Sequence, residues 1–106
     1  MPPTYEAVER GIGEVEDRMK AIGWWREEPL PPAMYDFKQA FAMDTMPYAY
    51  WLQFIFIPRV RSIIETRGEF PPSSSVGTQA IREFDGLDEA SGLVNSLCEF
   101  DALFRH

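Results

Sequence analysis

The chain has 106 residues, 45% of them hydrophobic, enough for one modest core and hence one expected domain, residues 1–106. Its formal net charge of −7 opposes phosphate, so no direct nucleic-acid binding is expected. A lone cysteine, Cys98, excludes an intrachain disulfide, and the longest apolar run, Tyr48 to Ile57, falls short of a membrane span.

The N-terminus has neither the basic start nor the apolar stretch of a leader, so a cytoplasmic location is expected. Tyr5, Val8, Ile12, Val15, Met19 and Ile22 alternate spacings of three and four, predicting an amphipathic helix capped by Thr4 and ended by Gly23. Glu6 with Arg10, Glu14 with Arg18, and Glu16 with Lys20 are spaced as i,i+4 pairs on it. Gly11 and Gly13 lie off the stripe, as weak points or as places where another helix comes close.

Pro29, Pro31 and Pro32 predict an extended loop from Arg26 to Asp36 that wraps the bundle. A short helical turn is expected over Phe37 to Met43, with Phe37 and Phe41 on one face. Asp44 or Thr45 then opens the central helix, with Pro47 in its first turn. From Tyr48 to Ile57 this helix is apolar on nearly every side, which predicts a segment surrounded by neighbours. Pro58 predicts a kink near Phe54 to Pro58. The pattern resumes with Val60, Ile63 and Ile64 and ends near Gly68. A shorter helix follows, with Ile81 and Phe84 as its apolar contacts. Asp85-Gly86 marks a turn, and a last helix runs from about Asp88 to Phe104 on Leu93, Leu97, Phe100 and Phe104. The predicted fold is all-α, a compact bundle of four main helices with a kinked central helix.

Trp25, Phe41, Met43-Asp44-Thr45-Met46, Trp51-Leu52-Gln53, Ile57-Pro58-Arg59, Leu97 and Asp101-Ala102-Leu103-Phe104 occur in an order that resembles the YqcC-like family. These are small bacterial proteins of unknown function. The resemblance covers nearly the whole chain and implies a single YqcC-like helical domain over residues 1–106. It also implies an association with a tRNA pseudouridine synthase, whose name some members carry. The synthase's catalytic aspartate lies in a larger mixed α/β domain that this helical chain cannot contain, and the resemblance transfers no catalytic residues.

The candidate sites divide into two groups. Trp24, Trp25, Met43, Met46 and Tyr50 are expected to form an interaction surface, because the central helix has more apolar faces than three neighbours cover. Trp24→Glu is expected to abolish capture of a partner while leaving the fold intact. Asp44, Thr45, Gln53 and Arg59 form the polar group. Asp44 and Thr45 read first as a helix cap, Gln53 as an internal hydrogen-bond clip, and Arg59 as the partner of an acid such as Asp44 or Asp101. In the alternative, Asp44, Gln53 and Arg59 line a small-molecule binding or catalytic pocket at the kink. No metal-ligand pattern occurs, and no cofactor is expected. His106 is the single histidine and sits at the terminus, so no catalytic triad is expected. The expected function is non-catalytic contact with a protein, such as the tRNA pseudouridine synthase or a second copy of the chain.

Overall fold

The computed structural model describes residues 3–39, 41 and 46–105. Helix α1 spans Tyr5–Ala21, and the Thr4 hydroxyl accepts from the Ala7 N–H at 3.1 Å, closing its N-terminus. Val8, Ile12, Val15 and Met19 are its buried stripe. At the other end Gly23 has φ +75, its N–H donates to the Lys20 carbonyl, and the Trp24 N–H donates to the Met19 carbonyl. This glycine-based cap turns the chain sharply and directs Trp24 back over the bundle. Of the three expected i,i+4 pairs, Glu14–Arg18 closes at 3.6 Å and Glu16–Lys20 at 2.7 Å.

The long first loop is not extended throughout. Pro32–Tyr35 forms one 3-10 turn with Pro32 at its start, where a missing N–H costs nothing. The expected turn over Phe37 to Met43 is not helical at Phe37 to Gln39, and Ala40, Ala42 and Met43 lie outside the described residues. Phe41, at φ +58, sets its ring edge-on to Tyr48 at 5.5 Å and to Trp51 at 5.0 Å. Phe41 thus packs on the start of the central helix.

The central helix is continuous. It comprises α2 (Tyr48–Trp51), a π-turn (Leu52–Phe56) and α3 (Ile57–Thr66). Leu52 and Ile57 at the two joints both keep right-handed helical dihedrals. Pro58 lacks an N–H and its ring would strike the carbonyl four residues back, so the turn before it widens: the Ile57 N–H reaches the Leu52 carbonyl. The expected deformation is therefore a π-turn within one helix. Pro47 is the N-cap residue rather than part of the first turn. Arg67 takes the left-handed position at the end of α3, with φ +55, one residue before the expected Gly68.

Helix α4 spans Val76–Glu83 and buries Val76, Gly77 and Ala80. Phe84 continues that face into the core, whereas Ile81 is 55% exposed, contrary to its expected core role. A 3-10 turn at Asp88–Ala90 leads into α5 (Ser91–Ala102), which packs against both α1 and α4, while α3 packs on α1. The described chain is all-helical, a bundle of four main helices with the two halves of the central one counted together. Leu93, Leu97, Phe100 and Phe104 are buried, and Gly11 lets α1 approach: a Cβ there would stand 3.3 Å from the Phe100 ring.

Candidate functional site

A cleft of about 470 Å³ lies where the end of α1, the start of α2 and the end of α4 converge. Three local devices build it. The α1 cap brings Trp24 against Phe84, ring centroids 5.0 Å apart and edge-on. Gln53, 6% exposed, then fixes the next loop residue to the central helix. Its Oε1 accepts from the Arg26 N–H at 2.9 Å and its Nε2 donates to the Arg26 carbonyl at 2.6 Å. Finally, the Tyr48 hydroxyl donates to the Val76 carbonyl at 2.8 Å, holding the α4 entry against α2. Burial, with Asp101 and Glu83 as like-signed neighbours, pushes the Tyr48 phenol far above its ordinary range.

The cleft walls are aromatic: Trp24, Trp25, Tyr48, Tyr50 and Phe84 line it, with Leu87 at the rim. Charge enters at two points, Arg26 and Glu83. The Arg26 guanidinium lies 5.0 Å from the Tyr50 ring centroid and donates to the Tyr50 hydroxyl at 3.0 Å. Its Nε is buried with no acceptor among the described residues. Trp25 is held by Lys20, whose ammonium stands 5.1 Å from the indole centroid. Such a surface offers flat apolar faces and one partly shielded cation, which suits recognition.

The candidate residues divide accordingly. Trp24, Trp25 and Tyr50 meet at this cleft, half-buried. Met46 does not join them: it is 5% exposed and belongs to the core cluster. Met43, Asp44 and Thr45 lie outside the described residues, and the N-cap position expected for Asp44 or Thr45 is held by Pro47. Gln53 and Arg59 do not converge. Both polar ends of the Gln53 amide engage Arg26, while Arg59 is exposed and lines two other cavities, of about 250 and 350 Å³. The alternative pocket at the kink therefore lacks the meeting of Gln53 with Arg59 that it requires.

Arg59 also has no ion pair with Asp101, because that carboxylate is engaged elsewhere. Asp101, 3% exposed, accepts from the Ser74 hydroxyl at 2.6 Å and from the Val76 and Gly77 N–H groups at 3.0 and 2.8 Å. It caps α4 from α5, and the neighbouring Ser75 makes no side-chain cap. Beside it, burial and the Asp101 charge push the Cys98 thiol up, against a smaller opposing effect of Arg105. Among the described residues no group of three or more histidines, cysteines or acids is placed to hold a metal, and no helix is long and apolar enough to cross a membrane.

The family described as "DUF446: tRNA pseudouridine synthase C" matches residues 7–103. An uncharacterised protein of Haemophilus influenzae is 28% identical over 83 residues, 74% of this chain and 76% of that one. The YqcC protein of Escherichia coli is 27% identical over 73 residues, 69% of this chain and 67% of that protein. Its solution NMR structure has the same fold, with a TM-score of 0.83 at 24% identity over 94% of this chain and 86% of that one. A tRNA pseudouridine synthase C of Pectobacterium carotovorum is 24% identical over 66 residues, 62% of this chain but 18% of that protein.

Proposed function

The chain belongs to the YqcC-like family, and from that premise we propose that it is a non-catalytic, cytoplasmic adaptor acting through protein contacts. Its partner in this reading is a tRNA pseudouridine synthase. The observation that carries the reading is the cleft of Trp24, Trp25, Tyr48, Tyr50 and Phe84: a rigidly held aromatic surface beside one guanidinium. Aromatic and arginine side chains of this kind dominate binding energy at protein interfaces. The synthase-named relative supports the choice of partner, since the matching segment there is 18% of a longer chain. Within one chain, linkage keeps two domains together at high effective concentration. Separate chains need a docking surface to replace that linkage.

The test uses the purified protein and a purified tRNA pseudouridine synthase from the same source, with nuclease present, followed by calorimetry and gel filtration. Trp24→Glu is a poor probe, because Trp24 packs on the core ring of Phe84. Ala49→Arg is better: it projects a long side chain into the cleft and removes no ring. A stable complex with wild type, weakened about tenfold or more by Ala49→Arg, is expected. A synthase that does not bind the wild-type protein would overturn the reading. The cleft volume favours a second reading, since about 470 Å³ also suits a small ligand. Native mass spectrometry of the purified protein, reading a bound small molecule absent from Ala49→Arg, would select it.

A further inference from the structure

Two of the exposed large apolar side chains share one groove. Among the described residues Tyr35, Ile81 and Leu87 are the large hydrophobics left exposed, and Ile81 and Leu87 line a single groove of about 220 Å³ with Phe84 and Val94. Phe84 and Leu87 also line the aromatic cleft. Cleft and groove are therefore two halves of one apolar track, running from Trp25 past Leu87 to Val94. Leu87, 43% exposed, is not frayed outward. Gly86 at φ +80 turns the chain, and the Leu87 N–H donates to the Phe84 carbonyl at 3.1 Å. The tight turn presents the side chain in a fixed place, so little ordering cost remains for binding.

In the groove half of the track every charged lining residue is acidic. Glu83, Asp85 and Asp88 line the track and are exposed. Neither Asp85 nor Asp88 forms an ion pair among the described residues. No lysine or arginine lines the groove half, and the cation of the cleft half, Arg26, lies at the far end of the track against Tyr50. An acidic rim around apolar anchors repels phosphate and attracts cations.

We infer that this track docks an amphipathic protein segment whose apolar side chains seat on Phe84, Leu87 and Ile81 and whose lysines or arginines meet Glu83, Asp85 and Asp88. The inference rests on the adaptor reading and names the chemistry of the segment that the adaptor grips.

Two probes test it: the purified synthase, and a fourteen-residue amphipathic peptide of leucine and lysine compared with its leucine–glutamate counterpart. The variants are Ile81→Asp with Leu87→Asp, and Asp85→Lys with Asp88→Lys. All four positions are exposed, so folding is expected to survive, as far-UV circular dichroism checks. Both double variants are expected to weaken the synthase and the leucine–lysine peptide about tenfold or more. The glutamate peptide is expected not to bind wild type, and added salt to weaken the lysine peptide's binding. Synthase binding that both variants leave unchanged would overturn the inference while the adaptor reading stands. If the synthase fails to bind wild type, the adaptor reading falls and the peptide decides. A lysine peptide that binds all three proteins equally then overturns the inference. So does tRNA that binds wild type and is lost from Ile81→Asp with Leu87→Asp.

Discussion

At the scale of single residues, the bundle depends on a few buried polar groups whose partners lie far along the chain. Asp101 receives three hydrogen bonds from Ser74, Val76 and Gly77, all from the entry to α4. Asp101→Asn turns one acceptor into an NH2 group facing a backbone N–H. A loss of about 2–3 kcal/mol is expected, readable by urea denaturation at pH 7. Gln53→Leu leaves the N–H and carbonyl of Arg26 without their partners, and about 1–3 kcal/mol is expected from the same measurement. These two roles differed in how far the chain itself revealed them. A glutamine inside an apolar helix must find partners, so Gln53 announced an internal clip, though not which backbone it would grip. Asp101 was harder to place, because its carboxylate caps a helix that starts 25 residues earlier while Ser73, Ser74 and Ser75 offer a nearer cap. The available sign was an acid on the same stripe as Leu97, Phe100 and Phe104.

At the scale of elements, two glycines of similar appearance have opposite meanings. A Cβ on Gly77 would lie 2.6 Å from the Cys98 Cα, on backbone that cannot swing away. Gly77→Ala is expected to drive α4 from α5 and to cost about 3 kcal/mol. A Cβ on Gly13 would meet nothing within 4 Å. Gly13→Ala is expected to stabilise α1 by about 1 kcal/mol, raising the melting temperature by roughly 4–8 °C in a calorimetric scan. Periodicity revealed α1 and α5 because their stripes are built of large residues. It misjudged α4, whose inner face is Val76, Gly77 and Ala80, small residues that let two backbones meet and leave Ile81 outside. The aromatic cleft was partly legible for a related reason. Trp24, Trp25 and Tyr50 do meet, but Met46 is buried in the core, which no spacing rule predicts.

At the scale of the whole molecule, α1 is joined to α3 by charge as well as by packing. Glu16 accepts from Lys20 at 2.7 Å and from Arg61, 45 residues away, at 2.8 Å. The Lys20 hydrogen bond, opposed by burial and aided by Arg61, holds its carboxyl below its ordinary value of 4.5. A carboxyl lowered on folding adds stability above its unfolded pKa and loses it as pH falls through the folded value. Glu16→Gln is therefore expected to lower stability at pH 7 and to match wild type once Glu16 of the wild type is protonated, well below pH 4.5, as paired urea titrations would report.

The π-turn at Leu52–Phe56 bears on the molecule's geometry in another way. A turn holding one residue more than an α-turn rotates everything before it by about 100° relative to a straight helix. The two halves of the central helix are thus out of phase: one aims Tyr48 and Tyr50 at the cleft while the other sends Val60 into the core. Pro58 and the extra residue act as one unit, the proline forbidding the α-turn that the extra residue would otherwise relax into. Pro58→Ala alone frees the helix to straighten and swing the tyrosines from their places. Removing Phe54 alone tightens the turn against the proline ring. Removing both leaves an ordinary helix with both faces where they were, so the double change is expected to be milder than either single one. A thermodynamic cycle over wild type and the three variants would display that reversal directly.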